Sequence, residues 1–146
     1  MKRLALLACA ALSASMQIGC GSATQESGEQ VESFVQLPVI SGGELNDYVR
    51  ASESPVLVEF AVNFNCPRCA QTKSHLVRLR EKLEGEVDVV RVDFNANAQM
   101  VAQLGGTICP TYVLFDDAEP VMTRSFPISI DLLEGEILRH SKSRTN

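Results

Sequence analysis

Cys66-Pro67-Arg68-Cys69 places two thiols three positions apart, a spacing at which both sulfurs can sit at a helix start and exchange with a single disulfide. An apolar, strand-like run over 55–62 precedes the pair, and a run from Ala70 to Glu84 without internal Gly or Pro follows it. Cys66 is therefore expected at or just before a helix N-terminus, where free backbone N–H groups and the helix dipole favour an anion. Pro67 suits the first helical turn, because its missing N–H would have had no partner there. Arg68 adds a nearby positive charge. These features predict a reactive Cys66 thiolate, with Cys69 one turn on to resolve a mixed disulfide. The pair alone leaves three chemistries open: redox exchange, half of a zinc site, and an inert structural disulfide. There is no second CxxC, and His75 and His140 are the only histidines.

The elements that must position these thiols follow one another in an alternating pattern from about Leu37 to His140. Glu44 to Ala51 reads as a short helix entered from Ser41-Gly42-Gly43, and Val56 to Val62 as a strand. A helix over 67–84 carries Leu76, Leu79 and Leu83 at helical spacing. Val87 to Phe94 is a second, Val-rich strand of the kind found buried in parallel sheets. Ala96 to Leu104 forms a short helix stopped by Gly105-Gly106. Thr111 to Phe115 and Val121 to Phe126 flank the polar turn Asp116-Asp117-Ala118-Glu119 as a hairpin. Ser129 to His140 closes the pattern as an amphipathic helix with Ser129 as N-cap and Leu132, Leu133 and Ile137 turned inward. This order implies an α/β fold with a central mixed sheet covered on both faces by helices.

The 146 residues allow one domain. Met1-Lys2-Arg3 and the apolar stretch from Leu4 to about Ile18 have the form of an export signal, too short and too interrupted by Ser13, Ser15 and Gln17 to span a membrane. The stretch ends in Gln17-Ile18-Gly19-Cys20, which resembles the lipobox of bacterial lipoproteins, although Gln17 departs from the usual aliphatic residue. The resemblance implies a signal peptide over 1–19 and lipidation of Cys20; an ordinary signal peptide cut between Ala14 and Ala23 is the alternative. Either reading exports the protein. Residues 20–36 are polar and read as a flexible tether, with an r.m.s. span of ~20–25 Å. Processing at Cys20 discards Cys9 and leaves three thiols, Cys66, Cys69 and Cys109, an odd number for an oxidising compartment. Removing Lys2 and Arg3 from the 13 basic residues leaves 11 against 18 acidic ones, a formal charge of −7. No basic patch interleaved with aromatics appears, which argues against a nucleic-acid partner.

From about Glu44 to Leu138 the chain resembles the thioredoxin superfamily. The resemblance rests on the strand-to-CxxC junction, on Val92-Asp93-Phe94-Asn95, and on Ile108-Cys109-Pro110-Thr111 leading into Tyr112-Val113-Leu114-Phe115. It implies a thioredoxin-like domain over 37–146 and a cis Pro110 packed against the thiols. The backbone before that proline would then pair with an extended peptide docking beside Cys66. It also implies that Glu59, among apolar residues of the first strand, acts as the buried carboxylate that carries the proton of the resolving thiol; burial would raise its pKa towards neutrality. Glu59 stands seven positions before Cys66, one more than the family spacing, and a one-residue slip reverses a strand side chain unless a bulge or longer loop absorbs it. An exposed or salt-bridged carboxylate is the alternative. Other departures are Asn65 in place of a Trp, with no Trp anywhere, the Pro-Arg dipeptide, Ser74 at a common proline position, and Phe126-Pro127-Ile128 in place of a glycine-containing turn.

The leading expectation is a membrane-tethered, extracytoplasmic thiol–disulfide oxidoreductase of the bacterial periplasm or cell envelope, acting on protein disulfides and recharged by a redox partner. Cys66, Cys69 and Glu59 are its expected catalytic residues, with Cys109, Pro110, Asn65 and Arg68 shaping the docking groove. No cofactor and no resident metal is expected on this reading. Cys109 should lie close to the Cys66–Cys69 pair, as a simple buried side chain, a third redox thiol or a ligand. The alternative function is a metal-binding or metal-delivery protein using Cys66, Cys69 and Cys109, and a structural module with a permanent disulfide is a third.

Overall fold

Three runs rich in Val, Leu and aromatic residues and a fourth, more polar one form one sheet in the computed structural model, which describes residues 36–143. The expected signal segment, Cys20 and all but the end of the tether lie outside the described residues. In chain order the elements are α1 (Leu45–Ala51), β1 (Val56–Ala61), α2 (Pro67–Lys82), β2 (Asp88–Asp93), α3 (Ala98–Gln103, preceded by a 3-10 turn over Asn95–Asn97), β3 (Thr111–Asp116), β4 (Glu119–Ser125) and α4 (Ile130–Ser143). The strand order is β2-β1-β3-β4. β1 runs parallel to β2, joined by a crossover through α2, and antiparallel to β3, which in turn pairs antiparallel with β4. The expected mixed α/β sheet covered on both faces is what forms.

β1 has its neighbours on both sides and helices on both faces, so all six of its residues are buried. Alternation along the strand divides them between two cores. Leu57 points to the face of α2 and α4, joining Leu76, Leu79 and Leu83 with Leu133 and Ile137. Val56, Val58 and Phe60 point to the face of α1 and α3, joining Leu45, Val49 and Val101. Glu59 falls on the same face as Leu57. This division places α2, which begins at the CxxC, directly over the charged residue of the central strand.

The ends of the elements follow from local chemistry. Ser41 and Glu44 exchange hydrogen bonds ahead of α1, Ser41 Oγ donating to Glu44 Oε2 at 2.7 Å and Glu44 N–H donating to Ser41 Oγ at 3.3 Å. The hairpin turn is tighter than the four residues 116–119 imply. Asp117 and Ala118 alone form it, with φ of 50° and 65°, the left-handed pair that matches the twist of a two-residue hairpin. A register shift lies between Leu114 and Phe115. Ser129 caps α4 as expected, its Oγ accepting from Leu132 N–H at 3.2 Å. Leu132 itself points outward, 53% exposed, because Leu133 and Ile137 at i, i+4 define the buried stripe. His140 lies within α4. Outside β2, the segment 38–40 runs alongside Arg91: Arg91 N–H donates to Pro38 O at 2.8 Å and Ile40 N–H to Arg91 O at 3.0 Å.

Candidate active site

Cys66 is the N-cap of α2 and Pro67 its first residue, the arrangement read from the sequence. The Cys66 Sγ accepts a hydrogen bond from the Cys69 N–H at 3.1 Å, so the sulfur uses one of the free donors of the helix start. Cys66 and Cys69 are joined as a disulfide, with Cα atoms 5.3 Å apart. The two sulfurs differ in access: Cys66 is half-buried, whereas Cys69 is buried among the first turns of α2. An incoming thiol or disulfide therefore meets Cys66 first.

The loop from Val62 to Asn65 delivers β1 to this helix start. Asn65 adopts φ 56°, a left-handed conformation that an Asn tolerates better than most residues. Phe64 beside it is 84% exposed. Phe64, Asn65, Pro67, Arg68, Asn95 and Cys109 border an open groove of about 390 Å³ running past Cys66. Arg68 projects to the surface with its guanidinium 5.9 Å above the ring of Phe126, which precedes a cis Pro127.

On the other side of the disulfide stands the loop before β3. The Cys109–Pro110 bond is cis. The loop is fixed by hydrogen bonds: Thr111 Oγ1 donates to Ile108 O at 2.7 Å and shares a bond with Ser125 Oγ at 2.8 Å, while Phe126 N–H donates to Pro110 O at 3.0 Å. Cys109 Sγ lies 3.3 Å from Cys69 Sγ and 3.8 Å from Cys66 Sγ. Cys109 is the free cysteine among the described residues, and burial pushes its thiol above the ordinary cysteine value.

Glu59 is fully buried and paired. Arg91, its register partner on β2, donates from Nε to Glu59 Oε2 at 2.6 Å, and its second amino group, Nη2, lies 2.5 Å from the same oxygen. Arg91 Nη1 also donates to Asn63 Oδ1 at 3.0 Å, tying the pair to the loop before the CxxC. The extra residue between Glu59 and Cys66 is absorbed by that loop: the β1–β2 register runs without a break from Val56↔Asp88 to Ala61↔Asp93. Desolvation pushes the Glu59 carboxyl up, opposed by the Arg91 charge and hydrogen bond and by Lys73. A small cleft lined by Val62, Asn63, Cys69, Lys73 and Arg91 leads from the disulfide to the Arg91 side of this ion pair.

Of the residues singled out in the sequence, Cys66, Cys69, Cys109 and Pro110 come together at one place. Asn65 and Arg68 flank them, and Glu59 lies beneath, buried and salt-bridged to Arg91. Arg91, Asn63 and Phe64 were not anticipated. A single Arg inside the Val-rich run Asp88-Val89-Val90-Arg91-Val92-Asp93 was the available signal for Arg91, since a charge in a buried strand needs a partner.

Comparison with known proteins agrees with this geometry. The family model described as Thioredoxin matches residues 36–131. Thioredoxin X, a chloroplastic protein of Arabidopsis thaliana, is 26% identical over 98 residues, covering 67% of this chain and 53% of the relative; the chain thus spans about half the length of the curated relative it matches. Among solved structures, thioredoxin f2 of Chlamydomonas reinhardtii superimposes with a TM-score of 0.63 at 24% identity, over 71% of this chain and 95% of that one. The oxidised form of mitochondrial thioredoxin 3 from Saccharomyces cerevisiae gives 0.60 at 19% identity, over 70% and 94%. These likenesses establish the fold. With the family match extending over most of the described residues and taking in the CxxC and the cis-proline loop, the chain belongs to the thioredoxin family.

Proposed function

We propose that the protein is a thiol–disulfide oxidoreductase that is exported, held at the cell envelope through a lipid on Cys20, and directed at disulfides of other proteins. The observation that carries this reading is the asymmetric disulfide at the α2 N-terminus, with an accessible Cys66 bonded to a buried Cys69 beside the cis Pro110 loop. In the reducing direction the Cys66 thiolate attacks one sulfur of a substrate disulfide, and the other leaves as a thiolate that takes a proton. Cys69 then loses its proton and attacks Cys66 Sγ, releasing the second substrate thiolate. The two electrons gained by the substrate come from oxidation of the Cys66/Cys69 dithiol to the disulfide, and a redox partner restores the dithiol. Run backwards, the same steps donate a disulfide.

Within this reading, Glu59 accepts the Cys69 proton through the cleft that joins Cys69 to the Arg91 pair; the raised carboxyl supports that role. Asn65, Arg68, Cys109 and Pro110 frame the substrate groove, and Phe64 extends it with an exposed aromatic face. The 17 positions 20–36 serve as the tether.

Insulin reduction with a dithiol donor tests the activity. Wild type accelerates it and Cys66→Ser does not; equal turnover by both proteins refutes the reading. Export and anchoring are tested separately by metabolic labelling with a fatty-acid analogue. Label and membrane association that persist in Cys20→Ala rule out the lipid tether.

A further inference from the structure

We propose that the reduced site is also a three-thiolate binding site for a soft monovalent metal ion, Cu(I), and that formation of the Cys66–Cys69 disulfide expels it. The inference goes beyond the redox reading; it shares the Cys66–Cys69 pair with it and gives Cys109 a role beyond lining the groove, and it does not depend on turnover.

The geometry starts from Cys109. Its sulfur lies nearly equidistant from the other two, at 3.3 and 3.8 Å. It therefore sits beside the disulfide bond and not on its extension, where a sulfur displacing one partner from the other has to stand. The position is poor for internal thiol–disulfide exchange and good for completing a triangle. With metal–sulfur bonds of ~2.3 Å, a trigonal site needs S···S edges of about 4.0 Å. The Cys66–Cys109 edge, 3.8 Å, is already close to that figure, and the Cys69–Cys109 edge, 3.3 Å, has to lengthen by well under an ångström. The third, Cys66 to Cys69, opens when the disulfide is reduced, from Cα atoms held 5.3 Å apart at the first turn of α2. All three sulfurs lie within 4.8 Å of one another.

The donor set selects the ion. Three thiolates are soft ligands, which favour Cu(I) and Zn(II) over hard cations. No histidine, Asp or Glu joins the group among the described residues. Structural zinc takes four protein ligands in a tetrahedron, whereas Cu(I) is satisfied by three sulfurs in a plane. The Cys69 N–H already donates to Cys66 Sγ, a bond that a Cys66 thiolate in the complex keeps. The rigid Cys109–Pro110 loop, pinned through Thr111 and Ser125, holds the third ligand without reorganisation. Entry is from the groove past Cys66.

Release follows from ligand count. When the dithiol gives two electrons to a substrate disulfide, which becomes two thiols, Cys66 and Cys69 bond to each other and only Cys109 remains. The copper leaves as Cu(I), with no change in its own oxidation state.

The test uses the full chain with Cys9→Ser and Cys20→Ser, so that the site holds its only thiols. Anaerobically reduced protein is titrated with Cu(I) against a chromogenic Cu(I) chelator. The expected result is one Cu(I) per chain, an X-ray absorption fit of three sulfurs, no binding by the disulfide form, and at least about a tenfold loss of affinity in Cys109→Ser with the fit falling to two sulfurs. A Cys109→Ser protein that binds like its parent, a two-sulfur fit in the parent, or retention of copper by the disulfide form overturns the inference. Should Cys109→Ser fail to fold by circular dichroism, Cys109→Ala and the sulfur count of the parent decide. Insulin turnover is scored independently. A protein that reduces insulin and binds no Cu(I) loses this inference alone, and one that binds Cu(I) without reducing insulin loses only the redox reading.

Discussion

Replacing Arg91 by Met isolates the buried charge beneath the disulfide. In the folded protein Glu59 has no solvent access, and its Oε2 is bound by two nitrogens of Arg91. Methionine fills the stem of the side chain and removes both donors. Breaking a buried pair by deleting one partner costs about 3–5 kcal/mol, a large share of the ~5–15 kcal/mol that holds a domain of this size together. With a urea slope of about 1.5 kcal/mol/M, the unfolding midpoint falls by about 2–3 M at pH 7. The deficit has a defined pH dependence. Arg91 is the largest influence holding the Glu59 carboxyl down, so without it desolvation raises that carboxyl further. The folded variant then keeps a proton that the unfolded chain releases above about pH 4.3, and a folded state that binds more protons loses stability as pH rises. Wild-type Glu59 is itself raised above 4.5, so both proteins lose stability alike until its carboxyl ionises; above that point the gap widens by up to about 1.4 kcal/mol per pH unit, and it closes on acidification. Urea melts at half-unit intervals measure it. Glu59→Leu combined with Arg91→Met removes both charges and recovers most of the loss. A gap below about 1 kcal/mol at pH 7, or one that grows on acidification, refutes the reasoning.

Other substitutions probe the supports of the site. Leu76→Ala, on the buried stripe of α2, costs about 2–5 kcal/mol in the same urea assay. Gly106→Ala places a methyl group 2.4 Å from Val101 Cγ1 and 2.8 Å from Thr111 Cγ2, both on buried residues, and costs about 1–3 kcal/mol. In the disulfide form, Cys109 reacts with iodoacetamide more slowly than a free cysteine at pH 8. The rate climbs with pH beyond the ordinary cysteine range, as read by mass spectrometry of the 109-containing peptide. Phe64→Ala leaves the urea midpoint within about 0.5 kcal/mol of wild type, since the ring is 84% exposed, and raises the KM for a protein disulfide.

What the sequence made legible was local. The Cys66 N-cap, Pro67 at the first helical position and the Ser129 cap are properties of a few adjacent residues, and each formed as its chemistry requires. The Cys109–Pro110 loop was legible for another reason: its four-residue signature stands in the right order after the CxxC. What stayed hidden depends on register. Glu59 and Arg91 are 32 positions apart, and they meet because β1 and β2 pair in parallel with those residues opposite one another. Nothing short-range specifies that pairing. The spacing between Glu59 and Cys66 likewise left the direction of the carboxylate open, because only the path of the Val62–Asn65 loop decides whether the extra residue turns the strand over. Leu132 shows the same limit on a helix, where one position of phase separates a core residue from a surface one.

The borders of the sheet carry one more consequence. An unpaired strand edge is a template on which another copy of the chain can add, so long edges promote association into β-assemblies. Here the edge of β2 is occupied at Arg91 by the segment 38–40, which uses both backbone groups of that residue. The opposite edge, β4, contains Pro120, which has no N–H to offer, and exposed charges at Glu119 and Arg124, next to the register shift at Leu114/Phe115. A sheet guarded at both borders lets neighbouring copies collide without polymerising.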